Sequence, residues 1–232
     1  MIKEIILFSK NSRARSIIPQ KKFILCILII VFNGCFNSFR QFLINFVVLI
    51  FLHLKYETPI IKVLKYVFSL TLFYILSGIT FLIDGNFSLF YLMCYRGFIN
   101  SLSITFFIFT TPLDDILFIM SKNKALIDLV DIAKLMERFI IVLEDELSIM
   151  IKSAKSKGGF DSNIKMIKTS AKIGALLFKN MFFKWQEIKV SVDSRCFNGK
   201  LSYFDVSFKK SFLIEILIVF IFIINLIILD CM

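Results

Sequence analysis

The residue types that perform catalysis or bind metal ions are sparse in this chain and are not spaced for either task. The five cysteines show no CxxC or other ligand spacing and the chain has one histidine, so we expect no metal site, no cofactor and no disulfide framework. The apolar segments contain no HExxH or GxSxG pattern and no paired acids, which an intramembrane hydrolase or lipid-modifying transferase would need. We therefore predict that the protein is not an enzyme.

Two short segments share a pattern that suits binding to another protein. Ser156-Lys157-Gly158 and Ser194-Arg195-Cys196 each place a basic residue at the end of a long amphipathic pattern. A cation near a helix C-terminus is stabilised by about 0.3–1 kcal/mol, so electrostatic capping is the simplest interpretation of either segment alone. Because the pattern occurs twice in tandem, docking of two helix ends into a partner is the alternative interpretation.

Two amphipathic helices are predicted to position these segments. The first runs from about Asp128 to Lys157 and stops at Gly158-Gly159, and the second ends near Arg195. We expect Trp185 to pack between the two helices. The apolar stripes are Met136, Phe139, Ile140, Leu143, Leu147, Met150, Ile151 and Ala154 in the first helix, and Ile173, Leu176, Leu177, Met181, Trp185, Ile188 and Val192 in the second.

The remaining chain is dominated by apolar blocks. Of the 232 residues 58% are hydrophobic, and about 20 consecutive apolar residues span the roughly 30 Å hydrocarbon layer of a bilayer. The sequence therefore predicts an all-α polytopic membrane protein with about five transmembrane helices, although the short first two runs leave a re-entrant hairpin open. Arg96 interrupts the fourth run, which is either one tilted span or, as we slightly favour, an interfacial helix followed by a span from about Gly97. The runs are 23–36, 42–54, 63–83, 87–110 and 212–229.

Loop charges predict the orientation of these spans. The segments 1–22, 55–65 and 111–210 are basic, whereas the turns between them have at most one basic residue. Short loops rich in Lys and Arg stay in the cytoplasm, so the net charge of +11 reflects topology, and no nucleic-acid partner is expected. The predicted division is a cytoplasmic basic N-terminus at 1–22, about four membrane helices at 23–110, a cytoplasmic helical region at 111–210 and a C-terminal membrane helix at 211–232. His53 is expected at the membrane interface.

Several short segments together resemble the transmembrane (T) components of energy-coupling factor (ECF) transporters, and most closely the cobalt-type CbiQ family. Thr110–Ile116 is similar to the family's TTP-x-x-D-[IL] segment, and Ile18–Lys22 to its D-P-x-x-K segment. Glu137–Glu146 is similar to its R-[FY]-x-x-x-L-x-E-E run. The segments 154–158 and 193–199 fall where the two coupling motifs, A-x-x-R-G and A-x-R-G-[FY]-x-G, belong. Lys157 replaces Arg in the first motif, and Cys196 replaces Gly in the second.

The resemblance implies a scaffold in a bacterial cell membrane, with its N-terminus in the cytoplasm, that couples two ABC ATPase subunits to a substrate-binding (S) membrane subunit. ATP hydrolysis would reside in the partners, and the implied substrate is cobalt (or nickel). A shared T component for vitamin uptake, and a membrane anchor or assembly factor unrelated to transport, are the alternatives. The residues implied to couple to the ATPases are Ala154, Ser156, Lys157, Gly158, Ser194, Arg195 and Cys196.

Overall fold

The computed structural model describes residues 2–35, 39–194, 208 and 212–230. The regular elements of these residues are helices, which confirms the all-α class. The α-helices are α1 (Ile2–Asn11), α2 (Pro19–Cys35), α3 (Phe39–Lys55), α4 (Ile60–Ile83), α5 (Phe87–Thr110), α6 (Leu113–Met120), α7 (Ile127–Ser156), α8 (Asn163–Asp193) and α9 (Phe212–Asp230), with 3-10 turns at Arg13–Ser16 and Lys124–Leu126. The sequence analysis did not anticipate α1, α6 or the 3-10 turns.

The chain divides into two compact units. The bundle unit comprises the described residues of 4–116 and 206–232, and the hairpin unit those of 1–3 and 117–205. The three prolines mark helix starts: Pro19 opens α2, Pro59 caps α4 and Pro112 directly precedes α6. Proline is tolerated at these positions because the first N–H groups of a helix have no partner within the helix.

Helix α5 is the centre of the bundle unit. It contacts α2, α3 and α4, and α9 contacts α2 and α3. The approach of α4 to α5 depends on Gly97, because a Cβ atom there would lie 2.4 Å from the Cβ of Tyr74. The largest fully buried apolar side chains of the unit are Leu25, Ile29, Leu49, Leu52, Val67, Phe106, Ile214 and Ile221.

Helices α4 and α5, with 24 residues each, are long and apolar enough to span a membrane. The exposed Phe68 and Phe73 on α4 are typical of a lipid-facing surface. The expectation of a separate interfacial helix before Gly97 is wrong, because α5 continues without interruption through Arg96. The guanidinium of Arg96 donates to the carbonyl oxygen of Gly34 on α2 at 3.0 Å, so this cation has a hydrogen-bond acceptor within the bundle unit.

Three buried asparagines connect α2, α3 and α5. The side-chain amide of Asn33 donates to Asn100 Oδ1 at 3.3 Å, and that of Asn45 donates to Asn33 Oδ1 at 2.9 Å. All three side chains are buried. Polar side chains that bond across helices stabilise packing in an apolar environment, where no water competes for them.

The hairpin unit is built on α7 and α8, which pack against each other. As predicted, α7 ends beside the two glycines: Gly158 has φ +68°, its N–H donates to Lys155 O at 3.1 Å, and the N–H of Gly159 donates to Ala154 O at 2.9 Å. These two bonds form a Schellman motif, which satisfies carbonyls that a helix C-terminus leaves unpaired. The expected packing of Trp185 is wrong, since it is 56% exposed and α8 buries Ile173 instead.

The asparagine cluster gives a first prediction. Replacing Asn33 by Leu keeps the number and branching of the side-chain heavy atoms but removes both hydrogen bonds, and we expect the free energy of unfolding in detergent to fall by about 1–2 kcal/mol. Ser77→Ala, at an exposed position of α4, is the matched control and should change little. Thermal unfolding of the purified variants measures both, and equal melting temperatures for them would contradict the proposed role of the cluster.

The Schellman turn gives a second prediction. In Gly158→Ala a non-glycine residue must adopt positive φ, and its Cβ would lie 2.5 Å from the Asp161 carboxylate, so we expect a destabilisation of at least about 1–2 kcal/mol. Gly174→Ala is the control, because Gly174 lies within α8 with nothing within 4 Å of the added Cβ, and alanine there should be neutral or stabilising. Hydrogen exchange of the amides of 155–163 would report the difference, and equal protection in the two variants would refute it.

Candidate functional site

The first predicted coupling segment lies on the turn that ends α7. Ala154 is half-buried and its carbonyl accepts the Schellman bond from Gly159, so this residue is fixed by the turn itself. The Ser156 hydroxyl donates to Ser153 O at 2.8 Å. Lys157 is the C-cap residue and its side chain is exposed. The backbone of the segment is thus held rigidly while a cation extends into solvent.

The charge at this turn is positive. Lys155 and Lys157 are both exposed at the end of α7, and Asp161 lies on the other side of Gly158. The C-terminal end of a helix has a partial negative charge, which stabilises the nearby cations. An exposed, cationic helix end of this kind can dock against an acidic or carbonyl-lined groove of another protein.

The second predicted coupling segment begins at the end of α8. Ser194 is the C-cap residue, with its N–H bonded to Val190 O at 3.0 Å and its hydroxyl to Ser191 O at 2.9 Å. Arg195 and Cys196 lie outside the described residues. An open depression along the same end of α8 is lined by Phe183, Gln186, Glu187, Val190, Ser191 and Ser194.

The structure does not bring the two segments together. Helix α8 has 31 residues, which corresponds to about 45 Å at 1.5 Å per residue; the first segment precedes its start, and Ser194 of the second segment caps its end. The sequence pattern predicted two helix ends but not this separation.

Helix α8 offers an unusually open surface between these ends. Ile173 is its one buried residue, whereas Phe178, Phe182 and Phe183 are more than half exposed. The helix has six lysines and two acids, and Lys184 pairs with Glu187 at 3.3 Å. An apolar and cationic surface of this extent is typical of a protein or membrane contact.

A second group of residues, in the bundle unit, was missed by the sequence analysis. The basic residues of the N-terminal segment, assigned there to topology alone, pair with acids far along the chain. Lys10 contacts Asp114 at 2.7 Å and Arg13 contacts Glu57 at 2.5 Å. Lys21 pairs with Glu215 on α9. The segments that resemble D-P-x-x-K and TTP-x-x-D contain charges of opposite sign, but their spacing in the sequence does not show that they lie close together.

Lys22 and Asp115, one from each of those two segments, belong to one cluster in the bundle unit, in which Lys22 bonds to Ala14 and the next residue, Arg15, bonds to Asp115. Both are 1% exposed. The ammonium of Lys22 donates to the carbonyl oxygens of Thr110 at 2.8 Å and Ala14 at 3.1 Å, and it interacts electrostatically with Asp115. Arg15 donates to the same carboxylate at 3.3 and 3.5 Å. We call Arg15, Lys22, Thr110 and Asp115 the charged joint.

His53 is buried rather than interfacial, which corrects the sequence-based expectation. Its Nδ1 lies 2.8 Å from Thr58 Oγ1, and its Nε2 lies 3.3 Å from the carbonyl oxygen of Leu102. Both ring nitrogens are used within the bundle, so the residue has a packing role. Among the described residues no three His, Cys, Asp or Glu side chains are grouped as they would be at a metal site.

Comparisons with known proteins agree with the motifs. An uncharacterized protein of Methanocaldococcus jannaschii is 30% identical over 99 residues, which are 43% of this chain and 37% of that relative. A putative fused cobalt transport protein CbiMQ of Methanocorpusculum labreanum is 25% identical over 108 residues, 47% of this chain and 18% of that relative. The matches thus span well under two thirds of the length of either relative.

The family comparison covers much more of the chain. The model of the CbiQ family, described as cobalt transport protein, matches residues 10–206. That range includes the charged joint, both predicted coupling segments and helices α4 and α5, which are long and apolar enough to span a membrane. The chain therefore belongs to the CbiQ family of cobalt transport proteins, which are components of membranes.

Proposed function

We propose that the protein is the T component of an ECF-type ABC importer. It anchors two ABC ATPase subunits in the cell membrane and transmits their ATP-driven movement to a substrate-binding membrane subunit, for uptake of cobalt (or nickel). ATP hydrolysis is assigned to the partner subunits. The observation that supports this most is the α7–α8 hairpin, with a coupling segment at either end of α8.

The hairpin has the mechanical properties that coupling needs. A helix of 30 residues and one of 31 pack along each other and are joined by a turn that its glycine fixes. Each of these helices resists bending because its backbone hydrogen bonds are internal. One ATPase subunit at each end, about 45 Å apart at 1.5 Å per residue along the 31 residues of α8, could displace the hairpin when the ATPases close.

The bundle provides the membrane anchor in this proposal. We assign spans to α2, α3, α4, α5 and α9. The N-terminus and the residues 111–210 are assigned to the cytoplasm because these segments are rich in Lys and Arg. Helices α2 and α3 have 17 residues each and α4 and α5 have 24. The exposed apolar face of α4 is then available to lipid or to the substrate-binding subunit.

Two other functions are the alternatives to this proposal. A T component shared among vitamin-binding subunits would have the same hairpin and differ in its partners. A membrane anchor or assembly factor would use the exposed face of α8 for a different cytosolic protein. Mass spectrometry of subunits that co-purify in mild detergent discriminates among the three, because it identifies the ATPases and the substrate-binding subunit directly.

Arg195, which follows α8 in the sequence, gives a testable prediction. Arg195→Glu reverses the charge of the second coupling segment, and we expect loss of co-purifying ATPase, or at least a tenfold loss of cobalt uptake, while membrane insertion is normal. Lys189→Glu makes the same charge change at an exposed position of α8 outside the segment and should have a smaller effect. Unchanged assembly and uptake in Arg195→Glu would refute the assignment.

Lys157 gives an independent prediction. Arginine has a planar group that binds carboxylates and carbonyls through two bonds, whereas lysine is a point charge. Lys157→Arg should therefore leave uptake at the wild-type level or raise it, and Lys157→Glu should lower it. Uptake rates at equal protein levels provide the measurement, and a clear loss in Lys157→Arg would count against the motif assignment.

A further inference from the structure

We propose that Lys22 and Asp115 are positioning residues for energy coupling: the charged joint locks the segment at which the chain leaves the bundle unit, and without it ATP hydrolysis no longer drives uptake. The inference rests on the proposed function. It concerns residues that belong to neither coupling segment.

The first step is what the joint holds. Thr110 is the last residue of α5, Lys22 lies in the first turn of α2, and Asp115 lies in the first turn of α6. Ala14 and Arg15 add the 3-10 turn of the N-terminal segment. A single cluster of charges and carbonyls therefore fixes four segments of the chain to each other.

The second step is why the joint is rigid. The Lys22 ammonium and the Asp115 carboxylate are both almost fully buried. A buried charge that loses its partner is left without solvent or a counterion, so partial opening is strongly disfavoured. Movement of the start of α6 would break the bonds between Arg15 and Asp115, and movement of α2 against the end of α5 would break the bond between Lys22 and Thr110.

The third step is where the joint lies along the chain. Asp115 is one residue before the end of the bundle unit's first segment, and the hairpin unit resumes at Leu117. The chain passes between the two units at three places, and this is the one where a single helix, α6, continues from the bundle unit into the hairpin unit. A loose connection here would absorb a displacement of the hairpin, whereas a locked one passes it to α2 and α5.

The neighbouring acid provides a matched control. Asp114 also lies in the first turn of α6 and also pairs with a basic residue, Lys10 at 2.7 Å, but its side chain is 34% exposed. Surface pairs of this kind are screened by water and contribute little. Asp114→Asn and Asp115→Asn thus make the same chemical change on adjacent residues, one outside the joint and one inside it.

The experiment compares these variants in the complete complex with its ATPase and substrate-binding subunits, measuring subunit co-purification, ATPase rate and uptake of radioactive cobalt. We expect Asp115→Asn to assemble, to hydrolyse ATP within about twofold of wild type and to lose at least tenfold in uptake. Asp114→Asn should stay within about twofold of wild type in all three measurements. Equal uptake by the two variants overturns the proposal and leaves the proposed function intact.

A second variant decides the case in which Asp115→Asn fails to accumulate. Lys22→Met/Asp115→Leu removes both buried charges, so no buried charge is left uncompensated, and the Arg15 side chain, 38% exposed, remains solvated. Assembly with ATP hydrolysis but without uptake supports the proposal. Wild-type uptake by the double variant overturns the proposal, because coupling then does not need the joint. Failure of the double variant to assemble also overturns it, because the joint then serves folding. A wild-type complex that takes up no cobalt contradicts the proposed function and the joint's role with it.

Discussion

The hydrogen bonds of the buried Lys22 ammonium are the interaction on which the bundle depends. Its acceptors are the carbonyl oxygens of Thr110 and Ala14, and Asp115 balances its charge. The carbonyl of Thr110 belongs to the last turn of α5, where four carbonyls have no partner within the helix. The ammonium of Lys22, on α2, therefore satisfies a carbonyl oxygen that the C-terminal end of α5 leaves without a partner within the helix.

Arg96 uses the same principle at another helix end. Its guanidinium donates to Gly34, in the last turn of α2. A helix C-terminus supplies both a free carbonyl and a partial negative charge, so a cation can remain within an apolar bundle there at a reduced cost. The last turns of α2 and α5 thus each accept a hydrogen bond from a cation of the other helix. The asparagine cluster connects the same two helices.

The sequence predicted the local features of the fold and missed the distant ones for a physical reason. The end of α7 depends on Gly158 and Gly159 and on carbonyls within five residues, so it could be read from the chain directly. The acceptor of Arg96 is 62 residues away, and Arg15 meets Asp115 across 100 residues. The periodic spacing of apolar residues contains no information on such distant pairs. Arg96 was therefore expected in an interfacial helix, and Arg15 was expected only to set the orientation of the spans.

The same distinction changes the meaning of the positive net charge. In the N-terminal segment the cations at positions 10, 13, 15 and 21 pair with acids, and Lys22 is buried among carbonyls. Charges used in this way contribute little to an electrostatic field that another molecule could sense. The lysines of α8 are instead mostly exposed along a helix that buries one residue. Cationic surface available to a partner is therefore concentrated on α8, whose two ends have the coupling segments, although the N-terminal segment is equally basic in sequence.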